Sequence, residues 1–199
     1  MPFYTIHHLT PLTLTQKDAL AAAITKIHSE QFSVLRNFIH LRFLPVPEDS
    51  YIGGLRRSEN HIIANVRAGP ARTQSDWDSL CLAIKAAWDE IVVDDPVPRA
   101  KGAGGDEGER ALNAMFLVGS AVGGMELGVL TPRAGEDRAW LERRWGEFVE
   151  RAEKGQGLWA ESVREARERG LVDEGRAGKV SRVLVSLWFG LPELLSVIG

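Results

Sequence analysis

The chain has 199 residues, 44% of them hydrophobic, with 24 basic against 27 acidic side chains and a formal net charge of -3. That length fits one domain of ~150 residues with an appendage, and the near-neutral balance lacks the basic footprint of a nucleic-acid-binding protein. A single cysteine, Cys81, excludes an intramolecular disulfide and fits a reducing compartment. The N-terminal residues carry no basic n-region. The apolar run 183–199 is short of the ~20 residues of a span and is broken by Pro192 and Glu193. A cytoplasmic enzyme or binding protein, with no membrane or nucleic-acid partner, is the expectation.

Pro2 follows Met1, and removal of Met1 would leave its nitrogen as a secondary amine. An α-amino group titrates around ~8, so such an end exchanges a proton near neutral pH. Phe3 to Leu9 reads as a strand, with Tyr4 and Ile6 on one face and Phe3 and Thr5 on the other. After the loop Thr10–Thr13, Thr15 is a candidate N-cap with Asp18 three residues on. Ala19, Leu20, Ala23, Ile24 and Ile27 form a helical stripe, with His28 beside it toward the helix end. Phe38 to Leu44 is a second strand, stopped by Pro45 and Pro47. Strand, helix and strand make a βαβ unit, whose strands should be parallel.

Tyr51 to Leu55 is a turn-rich connection, and then the order repeats. His61 to Val66 is a strand, Arg67 to Arg72 a Gly/Pro loop, and Ser75 or Asp76 caps a helix carrying Trp77, Leu80, Leu82, Ile84, Ala87, Trp88 and Ile91. Cys81 belongs to that apolar pattern and reads as core. Asp94 to Glu109 is a long Pro/Gly loop, expected to be mobile at 101–108. Ala114 to Val118 closes the second unit as a strand, although Ala111–Ala114 also suits a helix. The resulting fold class is α/β (α+β): tandem βαβ units giving a four-stranded sheet with two helices on one face. The bare face has to be covered, so an oligomer is expected. A Gly-rich loop over 119–135 leads to C-terminal helices at Glu136–Glu153, burying Trp140, Leu141, Trp145 and Phe148, and at Leu158–Arg169. Residues 171–181 read as a linker and 182–198 as a terminal helix. The expected division is 1–150 and 151–199.

The sequence contains no G-x-x-x-x-G-K-[ST], G-x-G-x-x-G after a strand, H-E-x-x-H or G-x-S-x-G. Its five histidines lack metal-ligand spacing with cysteine, and His7 and His8 point to opposite faces of their strand. No cofactor or metal is implied. Pro2, His28, Arg67, Arg72 and Glu126 remain as the side chains that can carry chemistry. Each also has an ordinary reading: His28 as a helix C-terminal histidine on the dipole, the arginines as loop cations, Glu126 as a partner of a surface cation.

An N-terminal Pro, Ala23-Ile24-Thr25-Lys26-Ile27-His28 at a helix end, an arginine loop after the third strand, and Glu126-Leu127-Gly128-Val129-Leu130-Thr131-Pro132-Arg133-Ala134-Gly135 occur in that order. In these features the chain resembles the tautomerase superfamily, specifically the group similar to cis-3-chloroacrylic acid dehalogenase, over about residues 2–150. The resemblance implies two βαβ units assembled as a homotrimer. It implies Pro2 as the proton-transfer residue, His28 and an arginine (Arg72, with Arg67 the looser match) holding a small carboxylate substrate, and Glu126 helping to activate water. The family's dehalogenases set a tyrosine beside the glutamate, and the aligned residue here is Met115, which has no hydroxyl. The implied activity is therefore cofactor-independent tautomerisation of a small α-keto or unsaturated carboxylic acid, ahead of hydration or dehalogenation of 3-substituted acrylic acids. A non-catalytic oligomeric binding protein of the same fold is the alternative of a different class.

Overall fold

A computed structural model describes residues 2–9, 11–47, 49–94, 110–175 and 177. The chain divides into two compact units, Met1–Gly135 and Glu136–Gly199. In the first, β1 (Phe3–His8), α1 (Leu14–Phe32) and β2 (His40–Pro45) form one βαβ unit. After the short strands β3 (Tyr51–Ile52) and β4 (Leu55–Arg56), β5 (Asn60–Asn65), α2 (Gln74–Trp88) and β6 (Leu112–Val118) form another. The sheet order is β2-β1-β5-β6, parallel within each unit and antiparallel where β1 meets β5. The expected tandem arrangement is thus the observed one.

Alternation along the strands separates two faces. Tyr4, Ile6, Ile62 and Ala64 are fully buried under the helices, which contribute Leu20, Ile24 and His28 from α1 and Leu80, Ile84 and Trp88 from α2. These helix residues recur every fourth position, so each helix lays one narrow stripe on the sheet. His28 lies within that stripe rather than beside it, while Leu82, expected in the core, faces solvent. On the other face Phe3, Phe116 and Val118 are 39%, 55% and 39% exposed. His7 stacks on His61 across the β1–β5 pair on that same face, at 4.5 Å between ring centroids.

Local chemistry corrects several expected boundaries. Thr13, not Thr15, caps α1: its hydroxyl accepts from the Gln16 N–H while the Gln16 side chain accepts from the Thr13 N–H. Gln16 wins because it is buried and also donates to the Ile91 carbonyl. Thr73, not Ser75 or Asp76, caps α2, with Asp76 as the reciprocal partner. Those hydrogen bonds hold the Asp76 carboxyl below its ordinary pKa. Residues Arg36–Phe38 form a 3-10 turn, so β2 starts at His40. The connection around Gly53-Gly54 is a hairpin, its two glycines at φ 60 and 79 making the mirror-image turn that matches strand twist. A π-helical turn, Asp89–Val93, extends α2. The expected loop 95–109 and terminal helix 182–198 fall outside the described residues.

The second unit contains α3 (Asp137–Glu153) and α4 (Gly157–Glu168). Trp140, Leu141, Trp145 and Phe148 are buried, as their spacing predicts, and Phe148 meets Trp159 of α4 edge-on at 4.6 Å. Ala177 is buried, and its N–H donates to the Asp173 carbonyl, a helical turn within the stretch expected as a linker. Among the described residues no helix is long and apolar enough to cross a membrane.

Asn60 ties the sheet together at the end away from Pro2. Fully buried, it accepts from the Leu9 N–H at 2.7 Å and donates to the Ala111 carbonyl at 3.0 Å, beside a bulge in the β5–β6 pairing. Asn60→Ala should therefore lower the unfolding free energy by about 2 kcal/mol. Urea unfolding measures this against Leu82→Ala, an exposed control expected to stay within about 0.5 kcal/mol of the parent.

Candidate active site

The N-terminal end of β1 gathers most of the singled-out residues. Pro2 is buried there, and its carbonyl accepts from the His40 N–H at 3.2 Å. One step beyond the Phe3–Asn65 pair, Val66 stands at this same end of the sheet and leads directly into Arg67. The C-terminal part of α1 brings His28 in from the helix side, and the start of α2 brings Arg72.

His28 is almost wholly buried, with its Nδ1 2.7 Å from the Tyr4 hydroxyl. The ring lies edge-on to Tyr4 and 4.8 Å from the Phe32 centroid. Burial lowers the His28 pKa to about 3, helped by the positive charges of Arg72, the chain's N-terminal ammonium and Arg67. His28 is consequently neutral at physiological pH. Burial likewise raises the Tyr4 pKa, so the phenol keeps its proton. In the tautomer where that phenol donates to Nδ1, the imidazole proton resides on Nε2, and His28 presents an N–H rather than a charge.

Arg72 lies over the Phe32 ring at 4.4 Å and the Trp77 ring at 5.7 Å, and donates to the Arg67 carbonyl at 2.9 Å. Phe32 touches both His28 and Trp77, so one aromatic row connects the histidine to the arginine. Cation–π contact and the carbonyl hold the guanidinium in place while leaving it half-buried. Arg67 is placed differently. It is 4% exposed and donates to the Pro132 carbonyl, which pins the arginine loop to the Glu126–Gly135 segment. Close approach does the rest: a Cβ on Gly69 would stand 3.0 Å from that of Ala134, and one on Gly119 2.8 Å from that of Ala68.

Glu126 ends β7 (Met125–Glu126), which pairs with β8 (Val129–Leu130) through Leu127 and Gly128 at φ 49 and 79. Both turn residues have positive φ, which accounts for the glycine two places after the glutamate. The Glu126 Oε2 lies 3.0 Å from Nε2 of His40. His40 pairs in register with Phe3 and stacks on it, so this contact is on the open face. His28 and Arg72 thus approach the Pro2 end from the helix side, and Glu126 from the other.

Met115 lines a cavity of about 390 Å³ with Val66, Trp77, Cys81 and Leu117, adjoining the arginine through Trp77. Burial and the nearby Asp78 raise the Cys81 pKa, which keeps the thiol protonated. No cluster of metal-binding side chains occurs among the described residues. Tyr4, Phe32, Trp77 and His40 are the participants that sequence reasoning missed. His40 was missed because β2 was expected to start at Phe38, and the 3-10 turn Arg36–Phe38 is what sets His40 beside Phe3.

Two tandem βαβ units with a proline at the open end of the first strand define a tautomerase-type fold. The crystal structure of N1, a member of the cis-3-chloroacrylic acid dehalogenase family, superposes with a TM-score of 0.50 at 17% identity, over 70% of this chain and 90% of that one. Native Ps01740 matches 62% of this chain and 99% of its own at 21% identity and a TM-score of 0.46. Leishmania major MIF2 matches 66% and 97%, at 16% identity and a TM-score of 0.44. A search of curated protein sequences finds no match. The family model described as "Putative oxalocrotonate tautomerase enzyme" matches residues 1–104, and the chain belongs to that family.

The neutral, buried His28 has a consequence for stability. Its folded pKa lies below the ordinary 6.5, so between about pH 6.5 and 3 the unfolded chain binds the extra proton. The stabilisation is complete above the upper value and is lost as pH falls through this window. Urea unfolding at pH 7 and pH 4.5 should show a smaller acid loss for His28→Gln than for the parent. Equal losses would place the His28 pKa at its ordinary value.

Proposed function

We propose that the protein is a cofactor-independent tautomerase in which the nitrogen of Pro2, freed by removal of Met1, transfers a proton on a small α-keto or unsaturated carboxylic acid. The observation that carries this reading is electrostatic. Arg72 and Arg67 both bear on the neutral His28, so two cations and an imidazole stand at the end of the sheet where buried Pro2 leads into β1. A carboxylate substrate suits that field. Arg72 holds the carboxylate, Arg67 adds charge from behind, and the His28 Nε2–H supports the oxygen on which enolate charge develops.

The free amine of Pro2 takes the enol hydroxyl proton, and the ammonium so formed delivers it to carbon as the C–O bond becomes C=O and C=C becomes a single bond. Guanidinium groups nearby favour the free amine of Pro2 that accepts the proton, whereas Glu126 stabilises the ammonium intermediate that delivers it to carbon. Met115 supplies no hydroxyl to help Glu126 activate water, which ranks tautomerisation above hydration or dehalogenation. Its thioether instead lines the apolar part of the cavity beside Trp77, where it would contact a substrate's tail. The exposed Phe3, Phe116 and Val118 support a homotrimer closed around the bare sheet face.

Conversion of enol to keto phenylpyruvate, followed in parent and Pro2→Ala, tests the chemistry. A positioned proton-transfer group contributes about 10²–10⁴-fold, and a loss of about that size is expected for kcat/KM. Equal rates would remove the catalytic reading, and so would intact-mass data showing Met1 retained, because an acylated proline nitrogen has no basic lone pair. Assembly has its own check: light scattering should give three copies of the 21.9 kDa chain. Phe116→Glu should shift that mass toward the monomer.

A further inference from the structure

We infer that His40 is a positioning residue, which holds the Glu126 carboxylate at the Pro2 end of the sheet. This rests on the tautomerase reading. Two hydrogen bonds from one residue carry it. The His40 backbone N–H donates to the Pro2 carbonyl at 3.2 Å, and its Nε2 lies 3.0 Å from Oε2 of Glu126. Main chain and side chain of a single residue therefore set the spacing between the proline and the glutamate.

The surroundings make that spacing specific. The ring of His40 stacks on Phe3, with centroids 6.3 Å apart and planes 14° from parallel, which fixes the direction in which Nε2 points. Glu126 sits on a two-residue strand whose hairpin is too short to be rigid alone. An N–H donated to a carboxylate is a strong, directional bond. The effect of this bond is on where the carboxylate stands.

Met115, which stands where the family's tyrosine would, lies on the other face of the sheet from that contact. Met115 pairs in register with Ile62 and lies on the helix side, lining the cavity with Trp77 and Cys81. Glu126 meets His40 on the open side. Within one chain, then, the polar partner of the glutamate comes from β2 and not from β6.

The test uses the full chain and enol phenylpyruvate. His40→Phe keeps a ring against Phe3 and removes the donor; His40→Asn removes it with a side chain too short to reach. Each should lower kcat about tenfold with KM nearly unchanged, as expected for one charge-assisted hydrogen bond. His40→Gln, whose amide nitrogen can occupy the Nε2 position, should recover most of the rate. Glu126→Gln should lose as much as His40→Phe, and combining the two should add little further loss. The inference is overturned if the losses multiply, if His40→Gln is no better than His40→Asn, or if the His40 variants match the parent while Pro2→Ala is impaired. If Pro2→Ala matches the parent as well, the proton-transfer reading itself has failed. Far-UV circular dichroism checks that each variant folds.

Discussion

A phenol–imidazole hydrogen bond buried between β1 and α1 is the constraint on which this end of the molecule depends. Tyr4 and His28 are 24 residues apart, and each is nearly sealed from solvent. Neither could sit there with its polar atom unsatisfied, since an unpaired buried donor or acceptor costs about 1–3 kcal/mol. Each therefore fixes the other: the strand cannot slip by one residue, nor α1 rotate, without breaking the bond. Burial then decides protonation, keeping the histidine neutral and the phenol intact.

Two arginines are arranged around that neutral pair. Arg72 lies over the faces of Phe32 and Trp77 and donates to a backbone carbonyl. Arg67 is buried against the Pro132 carbonyl, again a neutral partner. The arginine loop and the Glu126–Gly135 segment are locked together by this bond and by the small contact surfaces of Gly69 and Gly135. Glu126 is linked to Pro2 through His40, which bonds to both.

Much of the fold was legible because it rests on periodicity. The alternation of Tyr4 and Ile6 against Phe3 and Thr5, the helical placement of Leu20 and Ile24, and the repeat of strand–helix–strand all survive translation into structure. The misplacements were local. Thr15 with Asp18 and Thr13 with Gln16 offer the same capping spacing, and only burial of Gln16 against Ile91 chooses between them. Leu82 fits a helical apolar pattern, yet the face of α2 that meets the sheet is set by Leu80, Ile84 and Trp88.

By itself the sequence determined the elements, their order and the short list of reactive side chains, because those follow from residue type and spacing along one chain. Only the tertiary structure decided how those side chains are paired. Tyr4 with His28, Phe32 with Arg72, Arg67 with Pro132 and His40 with Glu126 join residues from 24 to 86 positions apart. Such pairings depend on sheet register and helix docking, which no local pattern encodes. The neutrality of His28 belongs to the same category, since it arises from burial and from charges that the fold assembles around it.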